Sequence, residues 1–268
     1  MSEQTSDAVM AMLESEAKRV TVVRLFFLLA AIAVLIGSYF QSEIKPLVLI
    51  SDSQNMSTYL TSYFPPNFTD WKIYVQDTLI TISMGIWGTL TAAIAAVPLS
   101  LMASNNVSPV WLLQITRRLA DAMRAINEVV FALVFVAAVG LGPFAGVLAL
   151  FVHTTGVLTK LFSEAVEAIE SGPVEGIRAT GASKFQEIIF GVLPQVMPLW
   201  TSFTLYRFES NVRSASVLGI VGAGGIGVSL YQSFGSFEYG KVCAILIILV
   251  TVTSLLDVLS SKIRNWLI

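Results

Sequence analysis

The stretch LYRFESNVRSASV, residues 205–217, places two guanidinium groups, a carboxylate, an amide and several hydroxyls inside a segment otherwise apolar enough for a membrane. At 3.6 residues per turn, Arg207, Asn211 and Ser214 fall on one helix face and Glu209, Arg213 and Ser216 on the opposite one. Glu209 precedes Arg213 by four residues, the favourable order for a helical ion pair, which leaves Arg207 without a local partner. A guanidinium with free donors can give two parallel hydrogen bonds to a phosphate-like oxyanion. Two readings fit these residues: a path that handles an oxyanion, or a structural network joining helices.

The other chemically suggestive motifs are weaker. GAGGIG at 222–227 satisfies the dinucleotide pattern G-x-G-x-x-G, but that pattern needs a strand before it, and a membrane span precedes it here. A tight re-entrant turn is expected instead, with Gly222, Gly224 and Gly225 letting backbone line a cavity. GSFEYGKV at 235–242 approaches the phosphate loop G-x-x-x-x-G-K-S/T, yet Val242 stands where magnesium needs a hydroxyl, so this chain should not hydrolyse ATP. His153 is the only histidine, which excludes an obvious metal site or catalytic triad and suggests a hydrogen-bonded packing role. DAMRAINE at 121–128 spaces Asp121, Arg124 and Glu128 for pairing along one helix face, with Asn127 beside them. These four residues fit either an ion pair anchoring a span or a polar inner mouth.

The elements that must carry these residues follow from composition. Hydrophobic residues make up 55% of the 268 and charged residues 13%, with a mean hydropathy of +0.75. Soluble domains carry about 25% charge, so an all-α integral membrane protein is expected. A formal charge of −2 with scattered basic residues excludes a nucleic-acid partner. The lone Cys243 permits no internal disulfide. About 20 apolar residues make a span, and six stretches qualify: 20–40, 74–103, 122–139, 144–162, 193–212 and 242–259. GLGP at 140–143 must end one span and begin the next. Residues 1–19 form a polar head, 20–268 the membrane domain, and Pro65 and Pro66 forbid regular structure in the connection 41–72.

Six spans put both termini on one side, and basic residues choose the cytoplasm. With the termini inside, all of the 16 Lys and Arg residues fall in inner segments except Lys45, Lys72, Arg207, Arg213 and Lys241. The polar segment 163–194 is then cytoplasmic.

That segment contains EGIRATGASKFQEIIFGVLP at 175–194, which resembles the cytoplasmic coupling motif of binding-protein-dependent ABC importer permeases, approximately E-A-A-x3-G-x9-I-x-L-P. Glu175, Gly181, Leu193 and Pro194 match, with Ala182 following the glycine; Gly176 and Ile177 replace two alanines, and Gly191 replaces Ile. The phrases MRAINEVVFAL, GLGPFAGVLAL, EAIESGPVEGIRATGA and LYRFESNVRSASVLGIVGAGGIG extend the likeness, so that from about residue 60 onward the chain resembles the permease of phosphonate-type ABC importers. The resemblance implies a type I importer fold in a bacterial inner membrane and a second copy of the permease. It also implies two cytoplasmic ATPase subunits holding ATP and Mg, and a periplasmic or lipid-anchored solute-binding protein. No cofactor is expected in this chain itself. The cargo implied is a phosphonate, phosphite or phosphate-like oxyanion. Glu175 to Pro194 would be the lever that the ATPase moves, and Arg207, Glu209, Asn211, Arg213, Ser214 and the glycine turn would line or shape the path.

Three other functions compete. A permease of the same class could carry another small anion. A membrane-embedded enzyme acting on lipid headgroups would use Asp121, Arg124, Glu128 and His153. An ion-gradient transporter would call for internal symmetry between halves, which the hydropathy pattern lacks.

Overall fold

A computed structural model describes the backbone of residues 3–267 and the side chains of residue 20 and residues 23–264; the side chains of the polar head 1–19 lie outside the described residues. Every described element is helical. The chain divides into two compact units, Met1–Leu60 and Thr61–Ile268.

In the first unit, α1 (Glu3–Gln41) is a 39-residue helix, of which Val23–Gln41 is long and apolar enough to cross a membrane. The connection expected to be irregular holds two short helices, α2 (Val48–Ser51) and α3 (Ser53–Thr61). Residues 42–47 and the part around Pro65 and Pro66 stay irregular, the latter because the prolines lack N–H donors.

The second unit is built by small residues facing inward. From Met84 onward on α4 (Trp71–Met102) the buried positions are Met84, Gly85, Gly88, Thr89, Ala92, Ala96 and Ser100, whereas Ile86, Trp87, Leu90 and Ile94 are exposed. This inversion is what a bilayer selects. Lipid tails are as apolar as Leu, so helices gain by close backbone approach rather than by hiding large side chains. An added Cβ at Gly85 would stand 2.6 Å from Val212 Cγ2, and one at Gly88 would stand 2.7 Å from Leu150 Cβ. Through this face α4 packs against α7 (Pro143–Glu167) and α10 (Leu193–Leu218). Toward the C-terminal end of α7, Phe162 and Trp200 stack with centroids 4.7 Å apart, and the Trp200 indole N–H donates to the Phe162 carbonyl at 3.2 Å.

Among the described residues, five helices are long and apolar enough to span, which places the first, second, fourth, fifth and sixth expected spans on helices. The third expected span, 122–139, is not one helix. It is broken into α5 (Val110–Ala125) and α6 (Glu128–Val139), bent by 87°. Ile126 and Asn127 take extended backbone, and the Asn127 side chain accepts a hydrogen bond from the Val129 N–H at 2.9 Å. An N-cap residue thus starts a new helix where period counting reads through. α6 has 12 residues, about 18 Å of rise. That is too short to cross a hydrocarbon core of about 30 Å alone, so Glu128 opens a half-length helix.

α7 leads into α8 (Ser171–Ala179) and the single turn α9 (Lys184–Glu187), followed by a π-helical turn at Ile188–Val192 before α10. After a 3-10 turn at Gly219–Val221 come α11 (Ile226–Gly235) and α12 (Tyr239–Leu267). At the start of α12, Lys241 joins Asp70 at 3.0 Å and Glu238 at 3.1 Å.

Candidate functional site

The bend between α5 and α6 assembles a polar cluster that no single helix contains. Glu128, the first residue of α6, accepts a hydrogen bond from Ser214 Oγ on α10 at 2.6 Å. Its other oxygen lies 3.6 Å from Nε2 of His153 on α7. His153 Nδ1 is 2.9 Å from the Ile126 carbonyl, and since a carbonyl only accepts, Nδ1 carries the proton and Nε2 is the atom turned to Glu128. Arg207, from the same face of α10 as Ser214, lies within electrostatic reach of Glu128. Its Nε is buried with no hydrogen-bond partner among the described residues. The Glu128 and His153 side chains retain 17% and 15% exposure, so the cluster opens on one side. Charged groups at membrane depth face water or protein rather than lipid.

The expected stripes of α10 are therefore redistributed. Arg207 and Ser214 meet the α6 start as one group, but Asn211 turns into the core, where it donates to Thr89 Oγ1 at 2.8 Å and accepts from Thr154 Oγ1 at 3.0 Å. One amide thus ties α10 to α4 and α7. The expected Glu209–Arg213 pair does not form. Glu209 bonds Arg264 at 3.2 Å and Arg213 bonds Asp257 at 3.0 Å, both partners on α12. Packing of α12 along α10 supplies closer partners than the local helix does, and Glu209 is buried against it. Asp121 and Arg124 do pair, at 2.7 and 2.9 Å, on the exposed last turns of α5. Glu128 leaves that face because the helix ends before it. His153, Thr89, Asp257 and Arg264 were not marked by spacing. Their contacts lie 25 to 122 positions apart and carry no local pattern.

The two glycine turns meet. Gly222, Gly224 and Gly225 have φ of 88°, 81° and 74°, values that a side chain would strain. The Gly222 carbonyl accepts from the Gly142 N–H at 3.0 Å, and an added Cβ at Gly224 would stand 2.9 Å from Pro143 Cγ. The Ile226 N–H donates to Thr81 Oγ1 at 2.9 Å, which fixes the start of α11 on α4.

At the opposite end of α10, the segment 171–194, expected to be the lever, forms two short helices and a π turn. α8 carries Glu175 on its exposed surface. Gly181 turns the chain with φ 80°, and Ala182 leads into the cap of α9, where Gln186 Oε1 accepts from the Ser183 N–H at 2.8 Å. Arg178 grips Glu187 with two bonds of 3.0 and 2.9 Å. That carboxylate's hydrogen bond and charge raise the guanidinium's pKa further above its ordinary value. Gly191 fits under α8: an added Cβ would stand 3.2 Å from Val174 Cα and 3.3 Å from Ile177 Cδ1. Leu193 and Pro194 open α10, where a missing N–H costs nothing. The Gln195 amide N–H donates to the Gly191 carbonyl at 2.6 Å, while its oxygen accepts from the Glu170 N–H at 3.1 Å. These bonds latch both ends of the lever to the span. The ends of α4 and α7 are tied beside it, with Arg117 Nε on the Ala103 carbonyl at 2.9 Å and its guanidinium paired with Glu167.

Comparison with known proteins agrees with this architecture. Residues 88–267 match the family described as binding-protein-dependent transport system inner membrane component. The chain is 64% identical over 118 residues to the putative cryptic phosphonate transport system permease protein PhnE2 of Escherichia coli (strain K12), covering 44% of this chain and 97% of that one. It is 34% identical over 233 residues to the phosphite transport system permease protein PtxC of Stutzerimonas stutzeri, covering 87% and 85%. Among solved structures, the MetNI methionine ABC transporter in inward-facing conformations superposes with a TM-score of 0.66 at 20% identity, covering 75% of this chain and 99% of that one. At that identity the likeness concerns the fold, which is that of type I ABC importer permeases. The relatives are transporter permeases and not enzymes, which removes the lipid-headgroup reading. The chain belongs to the binding-protein-dependent transport system inner membrane components, as a multi-pass permease subunit whose family works with separate ATPase and solute-binding subunits.

Proposed function

We propose that this permease passes a phosphonate, phosphite or phosphate-like oxyanion across a bacterial inner membrane by alternating access. The observation that carries the reading is the Arg207 guanidinium, at membrane depth, with a buried Nε that nothing among the described residues satisfies. Relatives named for phosphonate, phosphite and phosphate transport support the same class of cargo. Arg207, Ser214, Asn127 and Glu128 line the path in this reading. Glu209, Asn211 and Arg213 shape it by anchoring α10 to α12, α4 and α7, and Gly222, Gly224 and Gly225 turn beside its far end.

A second copy of the chain would enclose the open side of the cluster, giving a homodimer with both termini cytoplasmic. Each lever of 175–194 would then seat on one of two ATPase subunits, which bind ATP and Mg and transmit closure to α10 as a rigid-body change. Glu175, Gly181, Ala182, Leu193 and Pro194 are the residues assigned to that contact, and Asp121 with Arg124 borders the inner mouth. The test is reconstitution with the ATPase and the solute-binding protein. Ligand-stimulated hydrolysis accompanied by uptake of radiolabelled phosphite or methylphosphonate is expected. Stimulated hydrolysis with no uptake of any phosphorus oxyanion would overturn the cargo class.

A further inference from the structure

We infer that the Glu128 carboxylate is a built-in stand-in for the cargo, holding the Ser214 hydroxyl near the unanswered Arg207 Nε–H, and that the passing oxyanion displaces it and takes both donors. The inference rests on the cargo class proposed above and adds a device to it.

Glu128 leaves a nearby donor idle. Ser214 Oγ donates to one Glu128 oxygen at 2.6 Å, and His153 Nε2, 3.6 Å from the other, carries no proton to give it. The buried Arg207 Nε–H, on a guanidinium within electrostatic reach of Glu128, has no hydrogen-bond partner among the described residues. A tetrahedral phosphite or phosphonate presents three oxygens in place of two. The third would meet the donor that the carboxylate leaves idle, in the charge-assisted geometry that guanidinium groups favour.

The neighbouring charges offer no other role to Arg207. Arg124 is committed to Asp121, Arg213 to Asp257 and Arg264 to Glu209. Glu128 is also placed to move: it follows two residues of extended backbone at a helix break, and its side chain is not fully enclosed. Once it swings aside, the site holds a net positive charge suited to a mono- or dianion. When the anion leaves, the carboxylate returns to the Ser214 hydroxyl. A competing internal anion weakens binding at this station, which keeps cargo from being trapped in transit, much as a partly populated competent state lowers apparent affinity.

The experiment measures phosphite binding by titration calorimetry to the purified permease–ATPase complex in nanodiscs without the solute-binding protein, together with phosphite uptake by the full system. Glu128→Gln keeps the shape and removes the charge, so phosphite should bind at least tenfold more tightly while maximal uptake falls because release slows. Arg207→Lys keeps the charge but lacks the Nε–H and the planar fork, so it should weaken binding at least tenfold while thermal unfolding stays close to wild type. Unchanged affinity in Arg207→Lys, or affinity in Glu128→Gln no tighter than wild type, overturns the inference. Should Glu128→Gln fail to fold, Glu128→Ala, which also removes the competing anion, must bind phosphite more tightly than wild type or the inference falls. Wild-type complex that takes up phosphite while both variants keep wild-type affinity would refute only the stand-in. Wild-type complex that takes up no phosphorus oxyanion would refute the cargo class itself.

Discussion

Gly191 and Ile177 exchange sizes relative to the motif they resemble, and the structure packs them together. The large side chain sits on α8 and the small one on the π turn, where an added Cβ at Gly191 would stand 3.3 Å from Ile177 Cδ1 and 3.2 Å from Val174 Cα. Gly191→Ile alone must push the side chain of Ile177 and the backbone of α8, an overpacking that costs about 1–3 kcal/mol. Ile177→Ala alone leaves a gap at a half-buried position, below the 2–5 kcal/mol of a fully buried site and so about 1 kcal/mol. The double change Ile177→Ala with Gly191→Ile removes the side-chain part of the clash and fills the gap. It should therefore be more stable than the sum of the single changes by about 1–2 kcal/mol, within the range seen for touching residues. The close approach to the backbone at Val174 stays, so the double variant should not fully recover. Denaturant titration of the purified complex gives the three stabilities, and uptake per ATP hydrolysed gives the functional cycle. Additivity within about 0.5 kcal/mol would refute the idea that the two positions compensate.

Three further outcomes are expected. Asn211→Leu removes one interhelical bond to Thr89 and one to Thr154, and at about 0.6 kcal/mol each it should lower stability by about 1–2 kcal/mol in the same titration; no loss would mean that the amide is not what ties the three helices. Gly181→Val should uncouple hydrolysis from uptake, because φ 80° strains a branched side chain, whereas Gly181→Asn, which tolerates that conformation, should retain more coupling. Equal and normal uptake by both would remove Gly181 from the lever. Arg117→Ala strips a bond from the Ala103 carbonyl and the partner of Glu167, and should cost about 1–3 kcal/mol; an unchanged unfolding midpoint would show that the α4–α7 end is held by packing alone.

What was legible in the sequence was whatever a single helix decides. Apolar length placed five spans and glycine and proline at 140–143 placed a turn, while the spacing of Glu175, Gly181, Leu193 and Pro194 marked a segment that folds as short helices and turns ahead of α10. The break at Ile126–Asn127 escaped because its neighbours on both sides are good helix formers and an N-cap asparagine weighs little against hydropathy.

Partners were the larger gap. Helical spacing offers Arg213 to Glu209, yet Asp257 and Arg264 take their places, since α12 lies alongside α10 and side chains pair with whichever charge the packing brings nearest. Likewise Arg207 was recognisable as a spare guanidinium from α10 alone. That it shares a half-open cluster with Glu128, Ser214 and His153 was decided by three helices converging, since polar groups within apolar helices find their donors and acceptors in other parts of the chain.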